Sequence, residues 1–182
     1  MTDGELSWET LDSRVAYSGP RFEIYHEAVR LPSGRDAEFD YLSENEAVVV
    51  LPFTPNGEVV VIDQWRQAVK RVNRALPAGS IEDDDHDAKS AARRELAEET
   101  GYEAETVEHL TTVEPANGFA DSVFHYFVAE DCEPTAEQNL DDNESIRVET
   151  TSFEDLVAAV REDDLRDGRS ALAVLYYQLF ER

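Results

Sequence analysis

The chain has 182 residues, 41 acidic against 16 basic side chains, a formal net charge of −25 and a hydrophobic share of 41%. So acidic a surface repels a polyanion, which excludes nucleic acid as a partner, and no apolar run approaches the roughly 20 residues that a membrane-spanning helix needs. The length suits one domain with a small extension, large enough to bury a substantial core.

Residues 8–53 read as a series of strands. Arg14 to Tyr17 is followed by a turn at Ser18-Gly19-Pro20. Phe22 to Leu31 is the next strand, marked by Phe22, Ile24 and Tyr25, and ends at a second turn, Pro32-Ser33-Gly34. Asp36 to Leu42 then leads into Ala47 to Leu51, an apolar run suited to a strand buried on both faces. Pro55-Asn56-Gly57 signals a hairpin, and the strand Glu58 to Asp63 runs into Gln64-Trp65-Arg66-Gln67.

Leu76-Pro77-Ala78-Gly79 precedes the most informative segment, Asp87 to Thr100, which predicts a helix of roughly three to four turns. It is rich in Ala, Leu, Glu and Arg, with Asp87 as N-cap and Gly101 where a C′ glycine belongs. An Arg/Glu-rich helix is ordinarily a solvated face laced with i,i+4 pairs, which puts its acids opposite the apolar side. Wound at about 100° per residue, Ala88, Ala91, Ala92 and Leu96 form the apolar arc here. Glu95 and Glu99 fall inside that arc, with Glu98 on its flank. Crowded carboxylates repel one another unless positive charge sits between them, and a hard divalent cation, Mg²⁺ or Mn²⁺, takes oxygen ligands of this kind.

After the helix, Thr106 to Glu114 reads as a strand, Pro115 to Asp121 as a loop and Ser122 to Glu130 as a strand. Asn139 to Ser145 is a polar, acidic loop containing Asp141-Asp142-Asn143-Glu144, and Ile146 to Thr150 is the last strand. Two helices close the chain: Phe153 to Glu162, capped by Ser152, and the amphipathic Ala171 to Phe180.

The run Gly79 to Tyr102, with Arg94-Glu95-Leu96, Glu98-Glu99 and Gly101-Tyr102 in phase, resembles the signature box of the Nudix hydrolases, which cleave nucleoside diphosphates linked to another moiety. The resemblance implies an α/β fold, a Nudix-type α/β/α sandwich with a mixed β-sheet. The opening strands are similar to the small N-terminal antiparallel sheet of the ADP-ribose pyrophosphatase branch, which divides the chain into 1–44 and 45–182. In that branch the extension helps form a homodimer in which both chains line each site. Taken alone, the strands could equally belong to a single sheet.

Carried over residue by residue, the resemblance makes Glu95, Glu98, Glu99 and the backbone carbonyl of Ala78 ligands of Mg²⁺ or Mn²⁺. Gln64-Trp65-Arg66 is similar to a segment whose arginine meets substrate phosphate, and Gly79 and Phe119 join Arg66 as substrate-binding candidates. Glu144, in a loop like the one from which related enzymes extend a catalytic glutamate, or Glu98, would orient or deprotonate the attacking water.

Three departures from the pattern stand out. The family places a glutamate, salt-bridged to the arginine, between the glycine and the Arg-Glu pair. Here the segment is one residue longer, leaving Asp85 or His86 for that structural role beside Arg94. Ala75 stands where the ADP-ribose branch has glutamate, and Asn117-Gly118 with Ser122 replaces a Pro-Gly loop ending in an acid. The last two weaken the specific substrate, but the resemblance as a whole implies hydrolysis of ADP-ribose to AMP and ribose 5-phosphate. The alternatives are a broader ADP-sugar or nucleoside diphosphate hydrolase and a non-hydrolysing Nudix-fold sensor. The short length, the lack of a basic patch and the presence of all three box acids count against the sensor.

Of the bases only Lys70 and Lys89 are lysines, and the acids fall in runs such as Asp83-Asp84-Asp85. An acidic disordered chain and a folded protein from a high-salt cytoplasm share this composition; the hydrophobic content and local patterning disfavour disorder. A halophilic origin is expected, with molar salt shrinking the Debye length to about 3 Å. The single cysteine, Cys132, excludes an intrachain disulfide. With no signal-peptide pattern at Met1 to Glu5, the expectation is a cytoplasmic protein.

Overall fold

A computed structural model describes residues 3–141 and 144–182, so Asp142 and Asn143 of the acidic loop lie outside the described residues. The chain forms two compact units, residues 1–45 with 114–123, and residues 46–113 with 124–182.

The first unit begins with a short helix α1 (Asp3–Leu6) and a three-stranded antiparallel sheet in the order β1-β2-β3. Its strands are β1 (Glu9–Ser18), β2 (Glu23–Arg30) and β3 (Asp36–Ser43). Gly34 supplies the positive φ, 80°, of the β2–β3 turn. β1 starts five residues before the apolar pattern predicts; every one of its residues is exposed, so pairing with β2 and not burial sets its length.

The loop 114–123 packs on this unit rather than with the segments that flank it in sequence. Leu42 N–H donates to the Phe119 carbonyl at 2.9 Å, and Asp121 N–H to the Leu42 carbonyl at 3.1 Å. The Ser43 hydroxyl donates to Asp121 at 2.6 Å, and that of Ser122 to Glu44. The division expected after residue 44 is therefore extended by a segment that no local pattern assigns to it.

In the second unit a mixed sheet runs β7-β4-β9-β8. Here β4 (Ala47–Pro52) pairs parallel with β9 (Phe124–Glu130), and β7 (Ala78–Ser80) and β8 (Thr106–Val113) are antiparallel neighbours. A second, antiparallel sheet runs β10-β5-β6, from β5 (Glu58–Arg66), β6 (Arg71–Ala75) and β10 (Ile146–Ser152). Gly57, at φ 79°, closes a turn as expected. The β4–β5 pairing nevertheless stops at the Phe53–Val59 bridge, and the two strands enter different sheets.

All six residues of β4 are buried, because both its faces are covered. Val48 and Val50 pack with Ala91, Ala92 and Leu96 of α2 (Ala88–Thr100). Val49 and Leu51 pack with Phe153 and Leu156 of α3 (Phe153–Arg161) and with Ala173 and Val174 of α4 (Gly168–Phe180). This is the α/β/α sandwich, with α2 on one face and α3 and α4 on the other. Burying a side chain such as Leu96 contributes about 1.5–3 kcal/mol.

Helix α4 starts three residues earlier than its apolar pattern because Asp167 is its N-cap. Asp167 Oδ1 accepts from Ser170 N–H at 2.9 Å and from the Ser170 hydroxyl at 2.8 Å, and Ser170 Oγ accepts from Leu76 N–H at 2.8 Å. Burial pushes the Asp167 carboxyl up, but Arg169 and the Ser170 donors outweigh it and hold the group below its usual value. Asp167→Ala is expected to cost about 1–2 kcal/mol, a fall in Tm of about 2–4 °C per kcal/mol for a chain of this size. Because the folded pKa is depressed, the difference between wild type and variant is full above the unfolded pKa of about 4 and disappears as pH falls through the folded value. Melting curves at pH 7 and pH 3 check both points.

Candidate functional site

The register of α2 is fixed at both ends. Asp87 accepts from Ser90 N–H at 2.7 Å while Ser90 Oγ accepts from Asp87 N–H at 2.9 Å, and Gly101 closes the helix at φ 74°. With Ala91, Ala92 and Leu96 buried against β4, the helix must carry Glu95 and Glu99 inward as well. Glu99 is 2% exposed, and its Oε2 accepts from Ala78 N–H at 2.9 Å. The Glu95 side chain is 13% exposed, and that of Glu98 is 35%.

Arg94 binds this cluster together. Its guanidinium donates to Glu95 Oε1 at 2.8 Å and to Glu98 Oε2 at 3.0 Å from one nitrogen, and to the Ser80 carbonyl at 2.9 Å from another. Asp85 grips it in a bidentate pair at 3.1 and 2.7 Å. Arg94 holds the Asp85 carboxyl below the usual range against the burial that would raise it. Asp85, not His86, is thus the partner of Arg94. The His86 side chain is 94% exposed and lies 3.6 Å from Asp87. The extra loop residue is accommodated by a tight turn in which Asp85 N–H donates to the Glu82 carbonyl and Glu82 N–H to Asp85 Oδ2.

Burial pushes Glu95 up to about 7, opposed by Arg94 and reinforced by Glu98 and Glu144. It pushes Glu99 up to about 8, opposed by Ala78 N–H and Arg66 and reinforced by Glu95 and Glu144. Glu144 therefore acts electrostatically on both buried carboxyls, and Arg66 on Glu99. Gly79 meets it directly: a Cβ there would lie 2.1–2.2 Å from the carboxyl atoms of Glu95, so only glycine leaves that carboxyl its place.

This donor set fits a hard divalent cation. Its donors are oxygens, its two inner acids are disfavoured as anions until positive charge joins them, and a side-chain-free backbone lies alongside. Among the described residues no three acidic, histidine or cysteine side chains already converge on one point, and Arg94 supplies the positive charge between Glu95 and Glu98.

Phe119 lies in the first unit, 63% exposed, at a cavity of about 360 Å³ lined by Phe39, Tyr41, Glu114, Asn117 and Asp121. Sequence reading missed two residues. Gln64 is 4% exposed on β5 with a buried Oε1 that has no hydrogen-bond partner among the described residues; the signal was a polar residue in phase with Val60 and Ile62. Gln138 donates to the Glu99 carbonyl at 2.6 Å, a contact across 39 positions that no local pattern announces.

The family model of the NUDIX domain matches residues 44–173. ADP-ribose pyrophosphatase of Bacillus subtilis (strain 168) is 32% identical over 177 residues, covering 97% of this chain and 95% of that protein. Methanol dehydrogenase activator of Bacillus methanolicus is 29% identical over 174 residues, covering 95% and 94%. A crystal structure of an ADP compounds hydrolase shares the fold with a TM-score of 0.84 at 19% identity, over 94% of this chain and 92% of that one.

Proposed function

This chain belongs to the Nudix family of hydrolases, and we propose that it cleaves the pyrophosphate bond of ADP-ribose, giving AMP and ribose 5-phosphate, with Mg²⁺ or Mn²⁺ as cofactor. The observation that carries this reading is the pair of buried carboxylates, Glu95 and Glu99, turned inward against the Ala78-Gly79 backbone. Similarity to an ADP-ribose pyrophosphatase over nearly the whole of both chains supports the substrate.

In this mechanism Glu95, Glu98, Glu99 and the Ala78 carbonyl would hold the cation, and Arg94, itself fixed by Asp85, aligns Glu95 and Glu98. When bound, the cation neutralises charge on the pyrophosphate and lowers the pKa of the attacking water. Arg66, at the end of β5, presents a planar fork to phosphate oxygens. Glu144, or Glu98, takes the proton of the water. A broader ADP-sugar specificity is favoured by Ala75 and by Asn117-Gly118, the positions that depart from the ADP-ribose pattern.

The exposed Leu11, Val15 and Tyr17 of β1, with Trp8 just before it, support a homodimer built on that strand. The −25 charge supports a halophilic, cytoplasmic setting and a small phosphorylated substrate over nucleic acid. Among the described residues no helix is long and apolar enough to cross a membrane.

Incubation with ADP-ribose and Mg²⁺ in molar KCl is expected to release AMP. Binding without turnover, or release of ADP, overturns the reading. Glu144→Gln is expected to lower kcat by about 10²–10⁴-fold, the range for a positioned general base, with cation binding within about twofold of wild type. An unchanged kcat removes Glu144 from the mechanism.

A further inference from the structure

The last carbonyls of a helix have no intrahelical N–H partner and must be satisfied from elsewhere. In α2 the carbonyls of Ala97, Glu98 and Glu99 each find one. The Leu96 carbonyl accepts from the Thr100 hydroxyl at 2.5 Å, and that of Ala97 from Gly101 N–H at 2.8 Å. The carbonyls of Glu98 and Glu99 are taken by a distant segment: Glu98 accepts from Asn139 N–H at 3.0 Å and Glu99 from Gln138 Nε2 at 2.6 Å. Two residues further, the Gly101 carbonyl accepts from Ala136 N–H at 3.1 Å. The strap lies close enough that a Cβ on Gly101 would meet the Ala136 carbonyl oxygen at 2.8 Å.

Two of the residues whose backbone carbonyls hold the strap, Glu98 and Glu99, also supply carboxylates to the proposed cation site. In sequence, Glu144 follows the strap. On its far side Glu144 is bounded by β10, whose first residue, Ile146, pairs with Gln64 of β5. Glu144 N–H donates to the Asp141 carbonyl at 2.9 Å. Asn139 and Glu144 are five positions apart, a reach of at most about 18 Å, so an anchor at Gln138 and Asn139 limits where the Glu144 carboxylate can go.

We infer that Gln138 is a positioning residue for Glu144, tying the segment that carries it to the backbone of the two glutamates it must face. The inference rests on the role proposed for Glu144. Gln138 touches no reacting atom. Its amide nitrogen must face the Glu99 carbonyl, since two acceptors cannot share a hydrogen bond. Gln138→Glu keeps the shape, removes the donor and sets a negative charge against the negative end of α2. Gln138→Lys keeps a donor and places positive charge there.

The test is steady-state hydrolysis of ADP-ribose at saturating Mg²⁺ in molar KCl for wild type, Q138E, Q138K, E144Q and Q138E/E144Q, with Tm of each. Expected are a five- to tenfold lower kcat in Q138E with KM within twofold, recovery to within about twofold in Q138K, and less than a twofold further loss when Q138E is added to E144Q. If Q138E does not fold, Q138A in the same two backgrounds makes the same comparison. An unchanged kcat in Q138E, or an equal loss with and without Glu144, overturns the inference while leaving Glu144 in the mechanism; the equal loss would make Gln138 a helix cap only. An unchanged kcat in E144Q overturns the role of Glu144 and the inference with it.

Discussion

Glu99→Gln is expected to lower kcat/KM by about 10³-fold while leaving the fold intact in EDTA. Losing a cation ligand removes several kcal/mol of transition-state charge stabilisation, and about 4 kcal/mol corresponds to 10³-fold. The stability side has the opposite sign. Glutamine keeps an oxygen for Ala78 N–H, the one hydrogen bond that the buried carboxyl makes to the backbone of β7. It also removes an acid that burial pushes up to about 8. With the folded pKa above the unfolded one, ionisation costs stability progressively as pH rises from the unfolded value of about 4 towards the folded one. At pH 8 in EDTA the variant is therefore expected to melt no lower than the wild type. A variant that loses both activity and several degrees of Tm would make Glu99 a structural residue. Parallel assays of turnover and thermal unfolding separate the two.

Gly79→Ala is the second large effect. The added Cβ would sit 2.1–2.2 Å from all three carboxyl atoms of Glu95, far inside contact distance. The atoms it meets are the end of a flexible side chain, so Glu95 swings away at a cost below that of a clash with backbone. Swinging away breaks its 2.8 Å bond to Arg94 and removes it from Glu98 and Glu99. The expectation is a loss of about 10²-fold or more in kcat/KM, the scale set by removing one preorganised electrostatic contact at a reacting centre, with less than about 2 kcal/mol lost from stability. Wild-type activity in Gly79→Ala would mean that the Glu95 carboxylate has no fixed role.

Much of this site is legible in the sequence because the information is local. Asp87, Ser90 and Gly101 bracket α2, and the 3.6-residue period alone puts Glu95 and Glu99 beside Leu96. The same holds for β4, whose unbroken apolar run matches a strand covered on both faces. Where the reading fell short, the determinants are non-local or polar. β7 has three residues, Ala78 to Ser80, and becomes a strand only through its register with Val48 and Val49. β6 carries Arg71, Asn73 and Arg74, and Arg74 reaches across to Asp63 and Glu149. Neither segment shows an apolar alternation.

The loop 114–123 joins the N-terminal sheet through the Leu42–Ala120 bridge, a pairing 78 positions apart. The Asp85 partnership was one of two alternatives in the sequence. The structure selects it because the extra residue lets the chain turn at Glu82 and return a carboxylate to Arg94, leaving His86 in solvent.

The central claim is that the inward carboxylates of α2 hold a divalent cation on which hydrolysis depends. Titration with Mn²⁺ followed by electron paramagnetic resonance, on wild type and Glu99→Gln side by side in molar KCl, tests it most directly. The account predicts depletion of the free Mn²⁺ signal by the wild type, at least about tenfold weaker binding in the variant, the order seen when coordination at a metal site is disturbed, and AMP release that stops in EDTA. Equal binding by the two proteins, or ADP-ribose hydrolysis that continues in EDTA, would contradict it.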